Sequence, residues 1–519
     1  MLLLMAGVAA AQPGADTYKR TVFAIQEQIQ NGNLDKARAL VAEAGRRYPA
    51  NGGLENLLGV IAIQQGHADE AEKQFSAAIR HSPRLLSAYL NLGRVYLQNA
   101  VNDPSTAVKA LHIYERALEV EPRNAEANYD AAMLLMHAGS YGQSLGRLLN
   151  LEPQDRQNLS VAAVACADEA GLGHAAEAEH QVTSLAARAD LTESNVMDTI
   201  PTLLAAHRGD LADVLISAVA SHQALSATGL RMLGLAQEAE GRLPAAQSTL
   251  ERAFAVDSSS TAILVDLARV AEARKDYESA LGYLAHARDI DPKDANLPYR
   301  FGATCLKMTL LAESRKAFTE AVHMDPGNAD YNFALGTVTA FAQDPTEALP
   351  YLTKFHELRP ADAEGILALG TTYFRAKDFD AASPWLKQAA SLTETAATAH
   401  YYLGRIAREQ GHLDEAADEL KRSITLEPNR PDVIAELGQV YVQLKKYADA
   451  EKQLNQAIAL DADNYAANFG LLQLYARTGD TRREAQSKRF DEVKDKSQEQ
   501  NREAMRVIEI RPEGDPVKP

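Results

Sequence analysis

The sequence predicts an all-α protein, a solenoid of stacked helix-turn-helix hairpins. A pattern of 34 residues recurs seven times between Ala227 and Asn464, with no insertion or deletion between the copies. The eighth residue of every copy is small, and residues 12, 16 and 19 positions further on are small, large and mostly small again. The last three lie on one face of a helix. Because a single hairpin cannot bury such a face alone, the copies must stack.

Position 8 lies in the middle of a first helix, where a small residue lets a neighbouring helix approach closely. It is occupied by Gly234, Ala268, Gly302, Gly336, Gly370, Gly404 and Gly438. Position 24, on the second helix, is occupied by Leu250, Leu284, Phe318, Leu352, Leu386, Leu420 and Leu454. This pattern resembles the tetratricopeptide repeat (TPR). The resemblance implies a right-handed α-solenoid whose concave groove is lined by positions 2, 5, 9, 12 and 13 of the first helices.

The pattern continues less regularly on both sides of the seven regular repeats, which span residues 227–464. Residues 18–154 are interpreted as N-terminal TPR-like repeats, and residues 155–226 as degenerate helical hairpins. One N-terminal copy has five extra residues, which predict a longer loop at Gln98–Thr106 because this run is rich in turn formers. Residues 465–506 predict a last repeat and a charged capping helix, since a solenoid end needs a polar face. A disordered tail is predicted over residues 507–519.

The first residues have the composition of an export signal. An apolar run from Leu2 ends in three alanines at Ala11, which is typical of a signal peptide, here over residues 1–11. No Lys or Arg precedes the run, so the usual positive region is missing. The leader predicts a periplasmic or secreted protein, with a cytoplasmic location as the alternative. The run is too short to span a bilayer, and no transmembrane segment is predicted.

Charge and motifs exclude several classes of function. The net charge of −17 argues against nucleic-acid binding, which needs a basic face. Neither a phosphate loop, nor a dinucleotide glycine motif, nor an HExxH motif occurs in the sequence. The nearest metal-like cluster contains His174, Glu177 and His180, but its histidines are six residues apart and point to different faces of a helix. We therefore expect a non-catalytic protein without metal or cofactor.

The two cysteines, Cys166 and Cys305, are separated by about four repeats, and packed helices lie roughly 8–10 Å apart. A disulfide between them is therefore geometrically implausible. We expect Cys305 to be a small buried hydrophobic residue, since it lies at a packing position of its copy.

The resemblance directs the search for a binding site to the groove positions. The cationic and aromatic candidates there are Arg269, Tyr299, Lys307, Phe333, Phe341, Phe374, Arg375, Tyr401, Arg405 and Arg408. Aromatic residues make up only 6% of the chain, so five of them on one groove suggest a stripe that faces an extended peptide or a sugar polymer. The alternative is that these rings fill gaps between adjacent helices. Acidic residues are as frequent as basic ones at these positions, so charge does not decide.

The sequence thus predicts a protein–protein interaction scaffold that binds an extended segment of another protein in its groove. The alternative is a periplasmic TPR protein that assists polysaccharide export or outer-membrane assembly, which rests on the leader and the groove aromatics. The residues do not name the partner.

Overall fold

The structure, a computed structural model, describes residues 15–100, 105–341 and 345–504. Over these ranges the chain forms 29 α-helices, two short 3₁₀ helices (Asp155–Gln157 and Pro345–Ala348) and no strand. The predicted all-α fold is therefore confirmed. The predicted leader at 1–11 and the predicted tail at 507–519 lie outside the described residues.

The chain divides into two compact units, and the boundary falls between Ser258 and Ser259. The helices of unit 1 are α1 (Ala15–Gln30), α2 (Leu34–Arg47), α3 (Gly52–Gln64), α4 (Ala68–His81), α5 (Leu86–Ala100), α6 (Ser105–Val120), α7 (Ala125–His137), α8 (Tyr141–Leu149), α9 (Leu159–Gly171), α10 (Ala175–Ala186), α11 (Glu193–Val196), α12 (Ile200–Ala205), α13 (Gly209–Ala220), α14 (Ala227–Ala239) and α15 (Leu243–Val256).

The helices of unit 2 are α16 (Thr261–Ala273), α17 (Tyr277–Ile290), α18 (Asn296–Lys307), α19 (Leu311–Met324), α20 (Ala329–Ala340), α21 (Leu349–Leu358), α22 (Ala363–Arg375), α23 (Phe379–Ala389), α24 (Ala396–Glu409), α25 (Leu413–Leu426), α26 (Pro431–Gln443), α27 (Tyr447–Leu460), α28 (Tyr465–Thr478) and α29 (Arg483–Ala504).

Each of the seven regular copies contains one helical hairpin. The even-numbered helices from α14 to α26 are the first helices, and the odd-numbered helices from α15 to α27 are the second helices. The unit boundary follows the first of these hairpins, so six of the seven lie in unit 2. Within unit 2 the two helices of a hairpin pack on each other, and each second helix packs on the next first helix. This is the stacking that the repeated apolar faces require.

The two helices of a hairpin approach closely where position 8 meets position 24. A Cβ atom added to Gly336 would lie 2.7 Å from Leu352 Cγ, and one added to Gly302 would lie 2.8 Å from the Phe318 ring. The same contact recurs at Gly59–Phe75, Gly93–Tyr114, Gly234–Leu250, Gly370–Leu386, Gly404–Leu420 and Gly438–Leu454. The large partners are fully or almost fully buried, and burying such a side chain stabilises the fold by roughly 1.5–3 kcal/mol.

Each turn inside a hairpin that the structure describes contains one residue in the left-handed region. Glycine has this conformation at Gly32, Gly66, Gly139, Gly173, Gly241, Gly411 and Gly479. Residues with a side chain adopt it at His207, Lys275, Thr309, Lys377 and Lys445. The Lys275 N–H donates to Glu272 O at 2.9 Å and the Asp276 N–H donates to Ala271 O at 2.9 Å, which satisfies carbonyl groups at the end of α16. For a residue other than glycine, this conformation is less favourable than the right-handed one by about 1–2 kcal/mol.

Residues 155–226 depart most from the regular repeat. The hairpin of α9 and α10 is followed by two short helices, α11 and α12, in place of the expected next first helix, and then by α13. Pro201 lies in the first turn of α12. Proline is tolerated there, but inside a helix it removes a hydrogen bond and clashes with the preceding turn. The apolar side chains around this break remain fully buried, namely Leu191, Val196, Ile200 and Leu203.

The prediction of a longer loop at Gln98–Thr106 is wrong at both of its ends. Gln98 and Ala100 belong to α5, and Ser105 and Thr106 begin α6, while residues 101–104 lie outside the described residues. Helices α5 and α6 have 15 and 16 residues, against 13 and 14 in α3 and α4. Four of the five extra residues therefore lengthen the two helices, by two residues each.

Helix α29 covers the last hairpin helix, α28. Its Phe490 is 9% exposed and packs on Tyr465 and Phe469, with ring centroids 5.1 and 5.4 Å apart. Val493, one turn further on, is also buried. Most other residues of α29 as far as Lys496 are exposed. One apolar stripe therefore faces the solenoid and a charged surface faces water.

We expect Gly336→Ala to lower the free energy of unfolding by about 1–3 kcal/mol, because the added methyl group overpacks against Leu352. The control is Gly282→Ala on α17, where no atom lies within 4 Å of an added Cβ. It should raise the stability by about 1 kcal/mol through helix propensity alone. Urea denaturation followed by circular dichroism compares both with the unmodified chain. Equal midpoints for the two variants would contradict the packing argument.

Candidate functional site

The surface formed by α16, α18, α20, α22, α24 and α26, here called the first-helix face, carries the predicted groove positions. Between α16 and α18 lies a cleft of about 240 Å³. It is lined by Val265, Ala268, Arg269, Glu272, Leu284, Asn296, Tyr299, Arg300, Ala303 and Lys307. Three of the candidates from the sequence, Arg269, Tyr299 and Lys307, therefore lie together at one site.

The cleft presents both charges in balanced pairs. Lys307 Nζ lies 2.8 Å from the Glu272 carboxylate, which also accepts a hydrogen bond from the Thr304 hydroxyl. Arg269 lies 2.9 Å from Asp266 Oδ1, and its side chain remains 43% exposed. The Lys307–Glu272 pair is partly exposed and contributes about 1 kcal/mol or less, so a ligand can replace one of its partners at little cost, whereas Asp266 is buried.

Two of the predicted rings are largely used for packing. The Tyr299 ring centroid lies 5.0 Å from that of Tyr331 and 5.6 Å from that of Phe318. The Phe333 centroid lies 4.7 Å from that of Phe355 on the second helix. Both rings are half-buried, and burial raises the pKa of the Tyr299 phenol. They fill gaps between helices, although Tyr299 also lines the cleft.

At the end of α20, Phe341 is the most exposed of the five rings, with 60% of its surface accessible. Arg375, the last residue of the next first helix, places its guanidinium carbon 4.7 Å from the Phe341 ring centroid. A cation over an aromatic face is held by the quadrupole of the ring, with about 0.5–1 kcal/mol at an exposed site.

Phe374 lies inside the protein, in contrast to its predicted place in the groove. It is 9% exposed and packs against Phe379 and Tyr402, with centroids 5.7 and 5.1 Å away. The Arg405 guanidinium carbon lies 4.8 Å from the Phe374 centroid and 5.5 Å from the Tyr401 centroid. The two rings thus support a cation, and Phe374 itself has little surface to offer a ligand.

Arg408 is paired with side chains of the same protein. Its guanidinium lies 2.7 Å from the Glu436 carboxylate and donates to Gln439 Oε1 at 3.1 Å, and its side chain is 18% exposed. Burial raises the pKa of Glu436, while Arg408 acts in the opposite direction. Removing one member of a buried pair leaves an uncompensated charge, so this arginine has a structural role.

Unit 1 contains a buried polar chain that the sequence interpretation did not identify. Asn91 Nδ2 donates to Asn56 Oδ1 at 3.1 Å, and both residues are fully buried. Arg94 donates to Asn91 Oδ1 at 3.3 Å and to Glu126 Oε2 at 2.5 Å. These bonds join α3, α5 and α7 across successive hairpins. The near-repeat spacing of Asn56 and Asn91 was the available signal in the sequence.

The sequence matches models of a known repeat family. Models of the tetratricopeptide repeat match residues 24–84, 56–103, 109–157, 238–298, 367–431 and 407–467. These segments together cover more than half of the chain. The chain belongs to the tetratricopeptide-repeat family. TPR repeats form protein-interaction scaffolds, and this chain is such a scaffold. TPR proteins are generally non-catalytic.

The chain is similar to one curated protein in sequence and to several solved structures in fold. The BBSome complex member BBS4 of Bos taurus is 26% identical over 280 residues, which are 54% of this chain and 46% of that protein. The match therefore spans less than half of the length of that relative. Yeast Tom70 is 17% identical, with 89% of this chain and 94% of that chain covered and a TM-score of 0.38.

A tetratricopeptide repeat protein from Parabacteroides merdae is 18% identical, with 49% of this chain and 99% of that chain covered and a TM-score of 0.38. Likeness at this level carries no information on ligands.

The described residues also lack the patterns of a metal site and of a membrane-spanning helix. No three His, Cys, Asp or Glu side chains in the described ranges converge as metal ligands would. His174 contacts Glu169 at 2.6 Å, and Glu177 accepts a hydrogen bond from Gln181 at 2.8 Å. None of the described helices combines the length and the apolar composition of a membrane span.

Both cysteines are free thiols and fully buried. Burial raises the pKa of Cys166 and of Cys305 to about 12, so neither thiol is a reactive thiolate near neutral pH.

Asp168 of α9 is the most unusual titratable group in unit 1. The residue is fully buried, and neither carboxyl oxygen has a hydrogen-bond partner of good geometry among the described residues. Burial raises its pKa to about 7 against the opposing effect of the nearby Ser144 hydroxyl, and the charge of Glu169 adds to the rise. The folded state holds the proton of Asp168 more tightly than the unfolded chain does. The contribution of this group to the free energy of unfolding is therefore fully present below the ordinary pKa of 3.8 and is lost as the pH rises through about 7.

We expect Asp168→Asn to remove this pH dependence. The difference in unfolding free energy between the variant and the unmodified chain should grow by up to about 4 kcal/mol in favour of the variant between pH 4 and pH 8. Thermal unfolding at a series of pH values measures it. Asp69→Asn, at an exposed position of α4, is the control and should give a small, constant difference. A constant difference for Asp168→Asn as well would show that its carboxyl is ionised throughout.

Proposed function

We propose that the first-helix face of unit 2 binds an extended segment of a partner protein. The observation that carries the proposal is the cleft between α16 and α18, where Arg269, Tyr299 and Lys307 converge from adjacent first helices. TPR family membership supplies the general role of a scaffold, and the cleft gives that role a place in this chain.

The size and lining of the cleft favour a peptide over a small molecule. Sites for small ligands usually measure about 300–1,000 Å³ and enclose most of the ligand. A volume of about 240 Å³ suits a single side chain of a longer ligand. Glu272, Asn296 and Lys307 supply an acceptor, an amide and a donor at its wall, which can pair with the backbone groups that an extended segment leaves open.

A sugar polymer, the alternative ligand, has less support. Sugars would stack on exposed ring faces, yet of the five candidate rings only Phe341 is exposed, and Arg375 covers one of its faces. Tyr299, Phe333 and Phe374 are occupied by neighbouring rings. We therefore propose a protein partner.

The proposal is tested by filling the cleft. Ala303 is half-buried in α18 and lines the cleft, so Ala303→Tyr should block it. Ala312→Tyr adds the same ring at an exposed place on α19 and is the control. We expect the unmodified chain to enrich peptides from a random display library, Ala303→Tyr to bind them at least about ten-fold more weakly and Ala312→Tyr to bind them unchanged. Equal binding by all three, with helicity intact, would refute the assignment of the cleft.

Export from the cytoplasm remains a prediction from the leader at residues 1–11, which lies outside the described residues, with a cytoplasmic location as the alternative. If the leader is cleaved after Ala11, protein isolated from a periplasmic fraction begins at Gln12. Intact-mass measurement of that protein decides it, since an uncleaved chain confined to the cytoplasm would contradict the prediction.

A further inference from the structure

We propose that Arg375 and Arg405 together bind the carboxylates of an acidic segment, so that the partner of the first-helix face is an acidic peptide. This inference rests on the proposed function and names the chemical class of its ligand. The carrying observation is a pair of guanidinium groups that lie over aromatic rings on adjacent first helices.

The two arginines differ in their partners from Arg269, Lys307 and Arg408 of the first-helix face, and Lys307 is paired with Glu272. Arg269 is paired with Asp266, and Arg408 is paired with Glu436. Among the residues that the structure describes, by contrast, no carboxylate lies within ion-pair distance of Arg375 or Arg405. Glu436 is the acid that acts on Arg405 from further away, and Arg408 holds it at 2.7 Å. Two positive charges on this face are therefore not neutralised by contact.

Within the described residues, neither Arg375 nor Arg405 donates a hydrogen bond to another side chain or to the backbone. A guanidinium that lies over a ring uses its face for that contact, whereas its five N–H groups point outwards in the plane. The Arg405 guanidinium carbon lies over the Phe374 ring, 4.8 Å from its centroid, and over the Tyr401 ring, 5.5 Å from its centroid. Because the buried Phe374 ring is fixed by packing, the cation above it is held in place before a ligand arrives. Less rotamer entropy is then lost on binding.

The geometry of the two helices limits the spacing of the ligand groups. Helices α22 and α24 contact each other, and packed helices lie about 8–10 Å apart. An extended chain covers about 3.3–3.6 Å per residue, so two carboxylates about three residues apart would reach both arginines. Each planar guanidinium fork can accept a carboxylate in the two-bond arrangement that gives strong, directed pairing.

Charge favours an acidic protein segment over nucleic acid. The net charge of −17 gives the whole chain a field that repels a polyanion with a uniform charge along its length. A peptide with a few carboxylates is repelled much less than a polyanion and can make the same contacts with the two arginines. Single-stranded DNA is therefore the competitor that the experiment must include.

The experiment measures fluorescence anisotropy with the full chain and two short fluorescein-labelled peptides. One carries Glu at every third position in an Ala, Ser and Leu background, and the other carries Gln at the same positions. We expect the Glu peptide to bind about ten-fold or more tightly than the Gln peptide at low salt, and added salt to reduce this preference. R375Q/R405Q should abolish the preference, and Arg405→Lys should weaken it because the charge remains while the planar fork is lost.

The matched control is R315Q/R422Q, which removes two positive charges from the second helices α19 and α25 and should keep the preference. Equal binding of the two peptides, no binding of the Glu peptide, an unchanged preference in R375Q/R405Q, or equal displacement by oligothymidylate would each overturn the proposal. If both peptides bind equally and Ala303→Tyr abolishes both, the acidic specificity fails while the proposed function stands. If library peptides are not retained either, the proposed function itself has failed.

Discussion

The contact between a glycine of the first helix and a large apolar side chain of the second sets the helix spacing in most of the TPR hairpins. Gly336 against Leu352 and Gly302 against Phe318 show why: each large side chain occupies the space that a Cβ atom would need. Neighbouring hairpins then stack on helices whose spacing is already fixed. Stability in such a protein is approximately a sum over repeats and their nearest neighbours. The cleft on the first-helix face depends on this regular spacing.

Periodicity was enough to predict the fold from the sequence, because each hairpin is specified by residues close to one another in the chain. Prediction failed where a local sequence has two acceptable structures. The turn formers after Gln98 could have extended a loop, yet the flanking residues continue helices on both sides.

The candidate site was predictable only in part, for a related reason. The groove positions place Arg269, Tyr299 and Lys307 at one cleft, because positions 5, 9 and 13 of a first helix are four residues apart and lie on one face of it. Whether a ring on that face is exposed depends on its neighbours from other helices. Phe374 is covered by Tyr402 and by Phe379, and no pattern within its own helix distinguishes it from a ligand-facing ring.

Helix α29 has a consequence for how the repeat array can grow. Each hairpin ends in an apolar surface that would accept another hairpin, whether from the same chain or from a second molecule. Phe490 occupies that surface on α28, Val493 is buried one turn further on, and most other residues of α29 as far as Lys496 are exposed. The helix thus acts as a chain terminator for the stack, in the sense used for polymers: it consumes the reactive end without creating a new one.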